Sequence, residues 1–194
     1  MDAGLISIVL SGLALVVSAA TAWFTLWRRG TIRMTRPTLI FFGPDGSHGP
    51  MKVFMRALLF STAERGHIIE HLYVCLRRGK STGLFSTWIV RDESLSRGSG
   101  LFVDRRGVAC DHHFVLAKDG STYEFLPGEH VVEIYASCVG RRSPIRLSSE
   151  TVSLSEEQAL SIHQTDAGVF FDWNPESGIY DAHLDRNHTA ELSS

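Results

Sequence analysis

VACDHHFVL, residues 108–116, decides the fold class. Successive side chains of a strand point to opposite faces, so Val108, Cys110, His112, Phe114 and Leu116 share one side and Ala109, Asp111, His113 and Val115 the other. The first side reads as a core face. In both directions the chain repeats short runs of this kind, each bounded by Gly, Pro, Asp or Ser. They are Thr38 to Phe42, Val53 to Ser61, His67 to Arg77, Leu84 to Val90, Gly100 to Val103, Thr122 to Phe125, Val131 to Cys138, Glu150 to Leu154 and Val169 to Trp173. Asp104-Arg105-Arg106-Gly107 and Lys118-Asp119-Gly120 read as hairpin connections, with Gly where φ turns positive. Short strands, frequent turns and almost no helical periodicity predict an all-β fold, an antiparallel sandwich over residues 37–173.

The first part of the chain obeys a different rule. Ala3 to Trp27 carries no charge, and a bilayer core of about 30 Å is crossed by about 20 helical residues. Residues 1–30 therefore read as a single transmembrane helix with a basic flank, and 31–36 as a juxtamembrane linker. A cleaved signal peptide is the competing reading, with Val17-Ser18-Ala19 as its cleavage site. It fits less well, since Asp2 stands where a secretory signal is positive and the apolar run continues to Trp27.

Basic residues stay on the cytoplasmic side. Arg28, Arg29, Arg33 and Arg36 follow the run and nothing basic precedes it, so the expected topology is N-terminus out and domain in the cytoplasm of an inner-membrane protein. Trp23 and Trp27 would sit at the inner interface. Cys75, Cys110 and Cys138 form an odd set without paired spacing, as expected where thiols stay reduced. The Asn187-His188-Thr189 sequon would then face the wrong compartment for glycosylation. Ala14, Ser18 and Ala22 recur every fourth residue, a spacing that lets two helix backbones approach and a homo-oligomer form.

The segment from Phe125 to Ala136, FLPGEHVVEIYA, resembles the late corner of immunoglobulin-like domains, where a Pro-Gly turn feeds a long central strand. The likeness covers about a dozen residues and implies an immunoglobulin-like sandwich, an architecture that hosts unrelated functions. Ser155 followed by Glu156 and Glu157 is expected to cap a short helical turn. Residues 174–194 hold few apolar side chains and read as an acidic, flexible tail that Ile179, Tyr180 and Leu184 pin in part.

Charge is segregated. Residues 37–149 carry 14 Lys and Arg against 11 Asp and Glu, whereas residues 150–194 carry one Arg against nine acids. Arg77-Arg78, Arg105-Arg106 and Arg141-Arg142 each fall at an expected turn and read first as solvated loop tips. With no basic stripe and a net charge of −2, nucleic acid is not an expected partner. Membrane lipid and a protein are.

Candidate chemistry is sparse. Cys110-Asp111-His112-His113 contains metal-ligand types, but only Asp111 with His113, or Cys110 with His112, converge on one face. His67, His71 or His130 would have to supply a third ligand. His112 is the more natural core histidine. In Ile68 to Leu76 the even positions are apolar except Glu70, which on that stripe would be buried and paired with Arg56 or Arg97. No nucleophile elbow, P-loop, dinucleotide fingerprint or paired metal-ligand spacing occurs, and no cofactor is expected. The leading expectation is a non-enzymatic, membrane-anchored binding domain. The alternatives are a tethered metal-assisted hydrolase using Asp111 and His113, and an envelope-facing binding domain using Trp88 or Trp173.

Overall fold

Period-two alternation governs nearly the whole chain beyond its first helix. The computed structural model describes residues 3–24, 30–46, 49–91, 95–97, 100–116, 123–165 and 167–185. Helix α1 (Ala3–Ala22) is followed by strands β1 (Ile32–Met34), β2 (Leu39–Pro44), β3 (Met51–Ser61), β4 (His67–Arg78) and β5 (Ser81–Phe85). Next come β6 (Thr87–Arg91), β7 (Leu95–Arg97), β8 (Leu101–Val103), β9 (Val108–Val115), β10 (Gly128–Cys138) and β11 (Ile145–Leu154). Helix α2 (Glu156–Thr165) and strands β12 (Gly168–Asn174) and β13 (Ile179–Asp185) complete the order.

The strands form two antiparallel sheets. One has eight strands in the order β13-β12-β2-β3-β9-β6-β7 with β1 also on β3, and the other five in the order β11-β10-β4-β5 with β8 on β4. Their facing side chains share one core, to which Ile40, Phe42, Val53, Met55 and Phe114 come from the larger sheet and Leu72, Val74, Leu76, Val132 and Ile134 from the smaller. Eight and five strands exceed the four and three of a constant-type immunoglobulin domain. The Pro127-Gly128 turn does feed a long central strand, β10, which lies between β11 and β4.

Several elements differ from the sequence expectation, each for a physical reason. The run Leu84 to Val90 splits at Ser86, where the chain leaves the smaller sheet for the larger. Thr122 to Phe125 is no strand over its described residues; Phe125 instead plugs the core, its ring stacked 4.8 Å from that of Phe42. Ser155 and Gln158 close a reciprocal capping box, Gln158 N–H donating to Ser155 Oγ (3.2 Å) and Ser155 N–H to Gln158 Oε1 (2.9 Å). That start and the burial of Ala159 and Ile162 support ten helical residues rather than one turn.

The domain also begins earlier and ends later than composition suggested. The expected linker contains β1, paired with β3 through Ile32–Ser61 and Met34–Leu59. The expected tail contains β13, whose Tyr180 is buried, edge-on to Trp173, with its hydroxyl donating to Pro37 O at 2.7 Å. Residues 186–194 lie outside the described residues. Arg36, expected at the membrane interface, lies over the Trp173 ring at 3.9 Å and pairs with Glu150 at 3.3 Å, so the domain itself holds it.

Glu70 is the clearest correction. On β10, Ser137 pairs with His71 and the next residue, Cys138, pairs with Ile69, so Glu70 has no residue opposite it. This β-bulge shifts the phase of alternation by one. Ile69, Leu72, Val74 and Leu76 point inward while Glu70 is exposed. Arg56 pairs elsewhere, and the Arg97 side chain lies outside the described ones. The buried carboxylate of this sheet is Glu133, 4% exposed on β10, which accepts from Arg146 (2.9 Å), Arg77 (3.0 Å) and the Tyr135 hydroxyl (3.3 Å).

These placements predict opposite outcomes for two glutamates. Glu70→Ala should leave the unfolding free energy from urea titration within about 0.5 kcal/mol of the parent. Glu133→Ala should lower stability by about 1–2 kcal/mol, less than for a fully buried pair because both arginines are half in water and can resolvate. Equal effects of the two substitutions in equilibrium unfolding would contradict the bulge assignment.

Candidate functional site

β9 lies between β3 and β6 in the larger sheet and carries the residues singled out for chemistry. Its alternation is as expected, with His112 and Phe114 entering the core and Asp111 and His113 on the opposite face of the sheet, but His113 is no surface residue there, being 3% exposed. Asp111 lies opposite Arg56 and receives two hydrogen bonds from it, Nε to Oδ1 at 2.8 Å and Nη2 to Oδ2 at 3.2 Å. A forked ion pair of this kind occupies both carboxylate oxygens. His113 lies opposite Phe54, ring centroids 4.7 Å apart.

The other histidines are dispersed. His130 is buried in the core, with Nε2 2.7 Å from Leu126 O. His71 sits between Tyr73 and Trp88, and His67 at the start of β4, under the field of Arg141 and Arg65. Among the described residues no group of three or more His, Cys, Asp or Glu is placed to hold a metal ion.

His112 is 1% exposed and accepts a hydrogen bond at Nδ1 from Trp88 Nε1–H at 3.2 Å. Its neutral ring therefore carries the proton on Nε2. Burial pushes its pKa down to about 4, a shift that the Asp111 charge opposes and His113 reinforces. Burial also lowers the pKa of His130 and of His67, the latter with help from Arg141 and Arg65.

Sequence reasoning missed a row of side chains across the outer face of the larger sheet. His183, Phe170, Phe41, Phe54, His113 and Ile89 are consecutive partners in register from β13 to β6. Phe41 lies flat over Gly43 and Gly168, where any Cβ would collide with its ring. Beside it the Lys52 ammonium, bonded to Asp45 at 2.9 Å, stands 5.5 Å from the same ring. The Phe-rich runs Leu39–Pro44 and Gly168–Asn174 were the available signal.

The helix and its flank complete the survey. Ala14, Ser18 and Ala22 lie in α1, where the Ser18 and Thr21 hydroxyls donate to Ala14 O and Val17 O, each at 2.8 Å. Trp23 is exposed, as is Arg33 on β1; Trp27, Arg28 and Arg29 lie outside the described residues. The arginine pairs divide between the two ends of the sandwich. Arg105-Arg106 and Arg141-Arg142 occupy turns at the end where the chain enters β1. Arg77-Arg78 is at the other end, lining with Lys80 and Glu129 an open cleft of about 660 Å³.

No protein-family model matches this chain, and no curated protein matches it at a significant level.

The buried histidine makes stability depend on pH in one direction. Between about pH 6.5 and 4 an unfolded chain binds a proton at His112 that the folded one refuses, so stability is complete above that window and falls as pH drops through it. The full effect is about 3 kcal/mol at one histidine. His112→Gln retains an acceptor for Trp88 and should flatten this part of the profile in thermal unfolding. An unchanged slope would remove His112 as its source.

Proposed function

We propose that this is a single-pass membrane protein, N-terminus outside, which holds an immunoglobulin-like sandwich at the cytoplasmic face of an inner membrane to bind a protein or a signal. The observation that carries the reading is α1. Residues Gly4–Ala22 are long and apolar enough to cross a bilayer, and no part of that span is buried against the rest of the chain. Two of its four hydroxyl side chains, Ser18 and Thr21, donate to carbonyls within the helix, which suits a lipid environment without water.

The orientation rests on the one-sided distribution of Arg28, Arg29, Arg33 and Arg36. The face with Ala14, Ser18 and Ala22 offers a route to a homo-oligomer. A binding role is favoured over hydrolysis by the Arg56 fork that takes up Asp111. The cleft at Arg77, Arg78 and Lys80 lies at the end remote from β1, where a partner has access.

Topology is read by thiol labelling in intact cells. Burial raises the pKa of both Cys75 and Cys138, so these two thiols are slow and an exposed probe is preferable. Ser153→Cys, on the exposed side of β11, should react with a membrane-impermeant maleimide only after the inner membrane is opened. Labelling of this variant in cells whose inner membrane is sealed, above the level of the parent chain, would place the domain on the envelope side.

A further inference from the structure

One end of the sandwich differs from the rest of its surface. Four segments meet there: Gly30-Thr31 leading into β1, and the turns 62–66, 104–107 and 139–144. Hydrogen bonds gather them. Thr31 N–H donates to Thr62 Oγ1 (2.8 Å), Thr62 N–H to Thr31 O (3.0 Å), Ser61 N–H to Asp104 O (2.9 Å) and Val139 N–H to Ile68 O (3.0 Å).

The end is basic. Arg65, Arg105, Arg106, Arg141 and Arg142 are all exposed on it. The two acids of its turns are engaged, Glu64 by Arg105 and Asp104 by the backbone N–H groups of Arg106 and Gly107, and Glu70, exposed two residues beyond Ile68 on β4, leaves the five arginines in excess.

The end is also apolar. Ile68 (48% exposed) and Phe102 (61%) are opposite neighbours on β4 and β8, and Val139 (55%) adjoins Ile68 through the hydrogen bond above. The Phe102 ring packs on Gly66, where any Cβ would collide with it. The other exposed large apolar side chains of the described domain, Leu84, Leu126, Leu160 and Ile179, lie on separate elements. Large apolar groups ringed by arginines suit the boundary between headgroups and acyl chains.

The occupant follows from chain continuity. Six residue steps from Phe24 to Gly30 span at most about 20 Å. If α1 crosses the bilayer, this end cannot leave the neighbourhood of a headgroup layer that is roughly 5–8 Å thick.

We propose that this end of the sandwich docks on anionic lipid headgroups beside its own anchor, with the arginines on phosphates and Ile68, Phe102 and Val139 at the acyl boundary. The proposal rests on the membrane reading above. Because Ile68 and Phe102 project from the outer face of the five-stranded sheet, the domain leans towards that face. The cleft at Arg77, Arg78 and Lys80 is thereby left facing the aqueous phase.

The test uses the full chain in vesicles of phosphatidylcholine, alone or mixed with phosphatidylglycerol, containing lipid spin-labelled high on the acyl chain. An environment-sensitive fluorophore is placed at Phe102→Cys or Val139→Cys, and at Leu160→Cys on α2 as a remote control. Both proximal labels should be quenched in the anionic vesicles, and the control should not. Reversing Arg141 and Arg142 to glutamate should reduce the docked population roughly tenfold.

If the chain does not float with vesicles, the anchor reading itself fails. If it floats but the proximal labels stay unquenched in both lipids, docking is wrong and the anchor stands. Equal quenching in both lipids would overturn headgroup recognition. Shielding of these labels in native membranes but not in anionic vesicles would assign the surface to a protein instead.

Discussion

Nine large aliphatic side chains between Leu5 and Val17 lie exposed on α1, with nothing in the chain folded over them. At about 1.5–3 kcal/mol for each side chain left in water, the penalty exceeds about 10 kcal/mol, comparable to the whole stability of a typical domain. An aqueous monomer with this helix bare is therefore disfavoured. On the proposed reading a lipid bilayer receives it, the phase that its length fits. The placement of everything else follows, because β1 begins only ten residues after the helix ends.

The sandwich needs no help from that helix. Its core is built from residues beyond Gly30, with Phe42, Phe85, Phe125 and Phe171 filling space between two sheets of alternating side chains. Several of its buried polar groups are paired: Trp88 donates to the ring of His112, two arginines hold Glu133, and the Tyr180 hydroxyl ties the last strand to Pro37. Burial without such partners would cost more than each side chain returns. The first and last strands of the domain meet the same neighbourhood, so segments that look peripheral in the sequence close the structure.

Legibility followed the range of the interactions involved. In 108–116 the period-two rule placed Asp111 and His113 on one face and His112 and Phe114 on the other, because β9 runs without irregularity. In 68–76 the same rule failed at one bulge and turned an exposed Glu70 into an imagined core carboxylate. Glu133 escaped notice because what buries it comes from β4 and β11, far along the chain. The three-residue β1 is too short to show alternation, and β13 carries too few apolar residues to announce itself beside its acids. The aromatic row needed the strand order, which no local pattern encodes. The clustering of Arg105-Arg106 with Arg141-Arg142, but not with Arg77-Arg78, is likewise a product of topology.

The central claim is that α1 stays attached and lies in lipid. Its most direct test is the intact mass of the protein recovered from alkaline-extracted membranes. The account predicts a membrane-retained chain whose mass includes residues 3–24. A soluble species whose mass begins beyond Ala19 would make the helix a cleaved export signal and contradict the account.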